Sequence, residues 1–379
     1  VIDNMENVYV TGSFHGTPDF NPGAGNDTLQ GTAAVNSISG YTFLAKYNSS
    51  GSFQWAKNLG VGTVYFLGHG AQGLLFHNNS IYVSIPNTNL TTATSKLQNY
   101  STTGSLIFSQ NLVGATSIRN IKASNTTDLI ITGDFANSVD MDMSSGGASN
   151  LTGFYDIFIG KYDQTGNHVW SQKIGSSSSN DIGRDIAVNS SGDIFLTGLE
   201  QGQIHLSKWN SSGTLQWTNS IPAGANVKGN EVILNSSGDV VISGFFGNTG
   251  TNDFDPSATT VNLPMPYTGY YNDAFVVAYS SNTGSYLWGS SVGGGITQTA
   301  DVSVDNVWIG MDAAGAIYLG GGFQTDCDFD PSAGTSFQSP VSTVGYSDCF
   351  LAKYLTSTIG VEELNKPTIT IYPNPAITQ

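Results

Sequence analysis

Three stretches of this chain alternate carboxylates with an apolar residue: Asp140-Met141-Asp142-Met143, Asp253-Phe254-Asp255-Pro256 and Asp328-Phe329-Asp330-Pro331. A weaker copy reads Asp19-Phe20-Asn21-Pro22. On a strand, this alternation sends both acids to one side and the apolar residue to the other. In the same three units a further acid opens the next strand, at Asp156, Asp273 and Asp348, and antiparallel pairing is expected to bring it close. Three carboxylates repel one another without a cation, and oxygen-rich clusters of this kind suit Ca²⁺. The sets Asp140/Asp142/Asp156, Asp253/Asp255/Asp273 and Asp328/Asp330/Asp348 are therefore candidate calcium ligands, and calcium is the one cofactor the sequence suggests. Two other readings stay open: solvated acids that cap turns, or a rim that contacts a ligand.

Other chemistry is poorly supported. The five histidines, His15, His69, His77, His168 and His205, show no metal-ligand spacing. His168 falls inside a hairpin strand and His205 stands where other copies of its strand carry Phe, so core or sheet-surface roles outweigh catalysis. Ser and Thr are so abundant that choosing one as the nucleophile of a triad is arbitrary. No catalytic residue is assigned.

The elements that position these residues are repeated. Five polar runs carry a Gly followed four residues later by a large aromatic: Gly51 with Trp55, Gly104 with Phe108, Gly166 with Trp170, Gly213 with Trp217, and Gly284 with Trp288. The Gly suits the positive φ of a tight hairpin, and the alternation after it ends on an aromatic that one sheet face can bury. Upstream lies an apolar run ending in a small residue and Gly, as in Val8–Gly12, Leu129–Gly133, Ile194–Gly198, Val240–Gly244 and Ile317–Gly321, with a degenerate copy at Ile81–Ser84. Between run and hairpin comes a third strand, Phe43–Tyr47, Phe158–Tyr162, His205–Trp209, Phe275–Tyr279 or Phe350–Tyr354. A fourth strand precedes the apolar run, as at Asp185–Val188 and Glu231–Leu234.

The hairpin glycines are 53, 62, 47 and 71 residues apart, at or above the length of one four-stranded propeller blade. The expectation is an all-β chain forming a β-propeller of about six four-stranded blades over residues 1–360, seven being an alternative, followed by a linker and tail at 361–379. The first copy is expected to lack its leading strand and the last its aromatic strand.

Composition agrees. Charged residues are only 11%, and 12 Lys and Arg against 28 Asp and Glu leave a net charge of −16. No basic stripe stands out, so nucleic acid and anionic membranes are poor partners. No apolar run approaches the roughly 20 residues of a membrane-spanning helix.

At the C-terminus, Gly360 to Ala376, with Tyr372, Pro373, Asn374 and Pro375, resembles the opening of the C-terminal sorting domain carried by cargo of the type IX secretion system of Bacteroidota. The resemblance implies a partner in that secretion machinery, export across both membranes, and release or anchoring at the outer cell surface. Export to an oxidising compartment in turn favours a disulfide between Cys327 and Cys349, which lie at the ends of consecutive strands; two separate thiols are the alternative.

Lys161-Tyr162 and the run Asp163 to Trp170 are similar to the tryptophan-docking repeat of quinoprotein-type propellers. The wider unit resembles propeller repeats of large secreted proteins of Bacteroidota. In that family the Trp side chains dock neighbouring blades, a role the resemblance transfers to Trp55, Trp170, Trp217 and Trp288, and more weakly to Phe108. The quinone-dependent enzymes also need an axial cofactor pocket, of which no residue set stands out here. The sialidase Asp-box places its aromatic three residues after the Gly and an Asp two before it, and neither holds here. Together these readings predict a non-enzymatic propeller for recognition, adhesion or extracellular assembly, with a protein or glycan ligand. A filament subunit that polymerises by donating Thr368–Tyr372 as a strand is a second reading, and a quinoprotein-like enzyme a distant third.

Overall fold

Short apolar runs punctuated by Gly, Asn and Asp turns return the chain on itself every few residues, and the result is strand after strand with no helix among the described residues. The computed structural model describes residues 1–31, 39–63, 73–85, 94–124, 127–144, 147–176, 179–222, 227–247, 252–263, 272–293, 304–324, 326–331, 336–339, 348–354 and 370–371.

The first sheet has three strands in sequence order, β1 (Val8–Phe14), β2 (Ser39–Tyr47) and β3 (Phe53–Thr63). A seven-stranded sheet follows, made of β4 (Leu74–His77), β5 (Ser80–Ile85), β6 (Thr94–Ser101), β7 (Leu106–Ser124), β8 (Asp128–Asp140), β9 (Asn150–Asp163) and β10 (His168–Ile174). It is two four-stranded meanders sharing one strand. β7 is 19 residues long; its first part pairs with β6 from Val113 back to Leu106, and its second with β8 from Val113 to Ser124. The register shifts after Gly114, whose φ is 133°, and any Cβ there would run into the Ser138 backbone. Gly114 thus lets the outer strand of one meander continue as the inner strand of the next.

Two regular four-stranded meanders come next. One is β11 (Ile182–Val188), β12 (Ile194–Glu200), β13 (Gln203–Trp209) and β14 (Leu215–Ile221), the other β15 (Lys228–Leu234), β16 (Val240–Gly247), β17 (Asn272–Tyr279) and β18 (Tyr286–Val292). The last sheet holds β19 (Val304–Met311) and β20 (Ile317–Phe323), then, past the two-stranded ladder of β21 (Cys327–Asp328) and β22 (Phe337–Gln338), β23 (Asp348–Tyr354) and β24 (Thr370–Ile371). The chain is therefore all-β and built of propeller blades, six such units among the described residues.

Two expectations about the ends are refined. The first unit keeps the end of its leading strand, since Ile2 bridges Val8 and the Val1 amino group donates to the Tyr9 carbonyl at 2.9 Å. In the last unit the missing outer strand is replaced by β24, paired through Ala352↔Ile371 and Lys353↔Thr370. The chain divides into two compact units, Val1–Gly183 and Arg184–Gln379, each described by itself. The boundary expected at 360/361 lies outside the described residues.

Within the second unit each sheet buries both faces. Phe275, Val277 and Tyr279 of β17 join Phe195 and Leu206 in one cluster, while Ala274, Val276 and Ala278 join Leu319, Phe350 and Tyr354 in another. Two-sided burial is why these strands read as continuous apolar runs. The same holds in the first unit, where Tyr9 and Leu44 pack with Ile81, Val83 and Tyr100.

Polar contacts repeat with equal regularity. The Lys of the third strand pairs with an acid in the turn between the first two strands: Lys161 with Asp128 at 2.8 Å, Lys208 with Asp193 at 3.0 Å, Lys353 with Asp312 at 3.2 Å and Lys46 with Asp3 at 4.0 Å. Three of these ammonium groups also stand over a ring of the apolar strand, Lys46 on Tyr9, Lys208 on Phe195 and Lys353 on Tyr318. On the leading strands an acid reaches across sheets, Asp185 accepting from the Val232 N–H at 2.8 Å and Glu231 from the Ile309 N–H at 2.9 Å.

The hairpin Trp side chains are half-buried. Trp55 lies on Gly104 and donates to the Thr102 carbonyl at 3.3 Å, and Trp217 lies on Gly284 and donates to the Ser281 carbonyl at 3.2 Å. Each indole therefore rests on the hairpin turn of the following sheet. Trp288 packs against the last cluster, with Met311. Because the indole is half-exposed, Trp217→Ala should cost about 2 kcal/mol, below the roughly 3–5 kcal/mol of a fully buried aromatic. Gly284→Ala should cost at least about 1–2 kcal/mol, because its φ of 72° is left-handed and a Cβ would lie 2.7 Å from Asn219 Nδ2. Urea unfolding measures both; losses under about 0.5 kcal/mol would show that this contact does not dock the sheets.

Candidate functional site

Between the second and third strands of four units the chain inserts the same kind of loop, and the alternating acids lie in it. The first carboxylate bends the loop by accepting backbone N–H groups two residues on and at the far side. Asp140 takes Asp142 and Ser149 at 3.0 and 2.9 Å, Asp253 takes Asp255 and Val261 at 3.0 and 2.9 Å, and Asp328 takes Asp330 and Ser336 at 3.0 and 2.7 Å. Asp19 does the same for Asn21 and Asp27, both at 2.9 Å. The second acid caps the next turn, Asp142 accepting from the Ser144 N–H and Asp255 from the Ser257 N–H, both at 2.9 Å. Contacts with Ser144 hold the Asp142 carboxyl below its ordinary value.

The apolar residue between the acids is driven into the core. Met141, Phe254 and Phe329 are fully buried, and Phe20, Phe254 and Phe329 pack at a tilt against the third-strand Phe at centroid distances of 4.7, 5.0 and 4.7 Å. The carbonyl of that same residue accepts the third-strand Tyr hydroxyl: Tyr47 to Phe20 at 2.8 Å, Tyr162 to Met141 at 2.7 Å, Tyr279 to Phe254 at 2.8 Å and Tyr354 to Phe329 at 3.2 Å. Burial raises Tyr162, Tyr279 and Tyr354 well above the ordinary phenol range, with the Asp pairs adding to it, and burial together with Asp19 raises Tyr47. Each phenol stays protonated and serves as a fixed donor. The sequence showed the Asp pairs but not this latch.

The third acid of each set lies elsewhere. Asp156 is buried beside Gly175 with Lys173 on its Oδ2 at 3.0 Å, Asp273 is buried beside Gly293 and paired in register with Phe246, and Asp348 opens β23 opposite Phe323. Among the described residues no three His, Cys, Asp or Glu side chains are placed to hold a metal ion. The expected triads Asp140/Asp142/Asp156, Asp253/Asp255/Asp273 and Asp328/Asp330/Asp348 therefore do not assemble. The physical reason is that the third acid sits in the sheet, beside a glycine or opposite an aromatic residue, and not with the pair in the loop.

The unit without a loop shows what replaces it. Gln201 and Gly202 turn β12 directly into β13, and the place of the third-strand Phe is taken by His205. Its Nδ1 meets Glu200 Oε2 at 2.7 Å, its Nε2 meets Ser207 Oγ at 2.8 Å, and Trp209 Nε1 donates to that same Oγ at 2.9 Å. His205, Ser207 and Trp209 alternate along one strand, so they share a face. The wiring is that of a nucleophile, base and acid, yet Ser207 has no exposed surface and no substrate can reach its oxygen. The chain fills with polar contacts the space that a loop's apolar plug fills elsewhere.

Cys327 is a buried thiol in β21, paired in register with Gln338, and Cys349 an exposed thiol on β23, paired with Gly322. Both are free thiols, so the expected disulfide is not formed. Residues Tyr372, Pro373, Asn374 and Pro375 lie outside the described residues.

No family model and no curated relative matches the chain. Among solved structures it is similar to a protein of unknown function from Bacteroides caccae, at 8% identity and a TM-score of 0.42 over 73% of this chain and 78% of that one. It is also similar to a neuraminidase-like protein from A/bat/Guatemala/164/2009, at 7% identity and a TM-score of 0.43 over 82% and 81%. A glucose dehydrogenase aligns at 11% identity and a TM-score of 0.37 over 81% and 97%. At these scores the likeness carries no argument about activity, and the blades are assigned from strand pairing.

Two outcomes follow from the geometry. Alkylation of the unreduced protein, with unfolding to reach Cys327, should label both thiols in an intact-mass measurement. The hydrogen bond to His205 holds the Glu200 carboxyl below its ordinary value of 4.5, against the opposing effect of burial. A depressed folded value stabilises fully above the ordinary value and is lost as pH falls through the lowered one. Glu200→Gln should therefore destabilise near pH 7, with the deficit shrinking below about pH 4; a deficit independent of pH would show that the carboxylate charge plays no part.

Proposed function

We propose that the chain is a non-enzymatic β-propeller scaffold for recognition or adhesion outside the cell, presenting the latched loops between its second and third strands. One observation carries this: the same loop design recurs in four units, pinned by an Asp bracket below and a Tyr hydroxyl within, with exposed tips such as residues 22–28 and 257–260. Preorganised loops on a rigid sheet lose little conformational entropy on binding. The exposed tips, rich in Gly, Ser and Thr, suit a polar ligand, a glycan or a protein surface. Export through type IX secretion machinery rests on Tyr372 to Pro375, as does an outer-surface or extracellular location.

The test is a glycan array together with a panel of hydrolase and dye-linked dehydrogenase assays on the purified chain. The reading expects saturable binding that drops at least about ten-fold when residues 257–260 are replaced by Gly and Ser, with little change in melting temperature, and no turnover. Catalytic turnover of any substrate would overturn the non-enzymatic reading, and binding unchanged by the loop replacement would overturn the loop assignment.

A second reading, assembly by strand donation, is favoured by the pairing of β24 with β23. Residues 370–371 sit where the other units place their outer strand, so exchange of this segment between copies would link them edge to edge. Size-exclusion chromatography before and after deletion of residues 361–379 separates the two readings, since only strand donation predicts an oligomer that the deletion abolishes.

A further inference from the structure

The third acid of the first set, Asp156, does meet a second carboxylate, though not the one its spacing suggested. After β10 the chain passes Gly175, whose φ is 126°, and folds back so that the Asp181 N–H donates to the Tyr155 carbonyl at 2.8 Å and Asn180 bridges Tyr155. Asp156 and Asp181, 0% and 1% exposed, are thereby buried against the same glycine. A Cβ at Gly175 would lie 2.6 Å from Asp156 Oδ1 and 2.5 Å from Asp181 Oδ2, which puts these two oxygens no more than about 5 Å apart. Gly175 is required on both counts, its φ and the space that its missing Cβ leaves open to the carboxylates.

The polar accounting around this pair does not close. Asp156 Oδ2 has Lys173, Asp181 Oδ1 has the Ser179 hydroxyl at 2.7 Å, and Asp181 Oδ2 has the Ser176 N–H at 3.2 Å. Asp156 Oδ1 and Ser176 Oγ are buried without any hydrogen-bond partner. A buried carboxylate oxygen without a partner, as Asp156 Oδ1 is here, is strongly disfavoured. Native structures rarely carry such a group without an ion or water to explain it.

The geometry points to a calcium-class cation held between Asp156 Oδ1 and Asp181 Oδ2, with Ser176 Oγ as a further oxygen ligand. Oxygens up to about 5 Å apart are spanned by two bonds of roughly 2.3–2.6 Å, and Ca²⁺ accepts backbone carbonyls and water in its remaining positions. Mg²⁺ demands a near-ideal octahedron at about 2.0–2.1 Å and suits this spacing less well. The ion would tie the loop after β10 to the buried start of the third strand, at a site separate from the latched loops.

Calorimetric titration of the EDTA-treated full chain with CaCl₂ tests this without any variant. One site per chain is expected, with a melting temperature that rises with Ca²⁺ and responds much less to Mg²⁺. Asp181→Asn should weaken binding by about ten-fold or more, and Asp255→Asn, in a latched loop, should leave it unchanged. No heat and no thermal shift up to millimolar Ca²⁺ would overturn the proposal. So would an equal response to Mg²⁺, or a response lost in Asp255→Asn and kept in Asp181→Asn.

Discussion

A meander of short strands strands its own backbone: every reversal leaves N–H groups with no ladder partner, and a buried unpaired N–H costs about as much as a lost hydrogen bond. The chain answers at turn after turn with the oxygen of an Asn or Asp side chain. Asn48, Asn189, Asn210 and Asn235 each accept from the N–H groups two and four residues on, and Asp3, Asp163 and Asp312 do the same. Asp140, Asp253 and Asp328 extend the same bracket to longer loops. Much of the acidity of the chain is therefore engaged with backbone.

That bracket sets what the rest of the structure can do. The hairpin turns that carry a docked Gly use Ser in the same place, Ser101 before Gly104 and Ser280 before Gly284, and Gly284 lies under Trp217 of the preceding sheet. An acid as the last residue of the inner turn, such as Asp193, neutralises the third-strand Lys. With turns and charges held at the margins, the sheet faces are left to apolar packing on both sides. Where the interleaved plug of a long loop is missing, as between β12 and β13, the polar chain from Glu200 to Trp209 substitutes for it, and its buried groups are satisfied one by one.

Much of this was legible in the sequence because turn chemistry is local. The Gly-to-aromatic hairpins, the apolar runs and the third strands fall where the spacing put them. β7 was not, since the stretch from Leu106 to Ser124 contains one Gly and no other turn residue cluster to mark where one sheet ends and the next begins. The calcium triads were misread for a different reason. Period-two spacing places Asp253 and Asp255 together, but it does not reveal that one oxygen of each accepts a loop N–H, from Val261 and Ser257, or that Asp273 lies apart from them. Long-range closure of this kind depends on where a loop returns. The Tyr latch and the Asp156 and Asp181 pair share that property. His205 gave a usable signal, standing where four other third strands carry Phe (Phe43, Phe158, Phe275 and Phe350), with Ser207 and Trp209 following at strand alternation.

The central claim is that the paired acids of the loops hold backbone. Amide hydrogen exchange resolved to Ser149 and Val261, with EDTA and with millimolar Ca²⁺, tests it most directly. The account predicts that both amides are as protected as the neighbouring sheet in either condition, because Asp140 and Asp253 accept from them without an ion. Exchange at exposed-loop rates in EDTA, slowed only when Ca²⁺ is added, would contradict it.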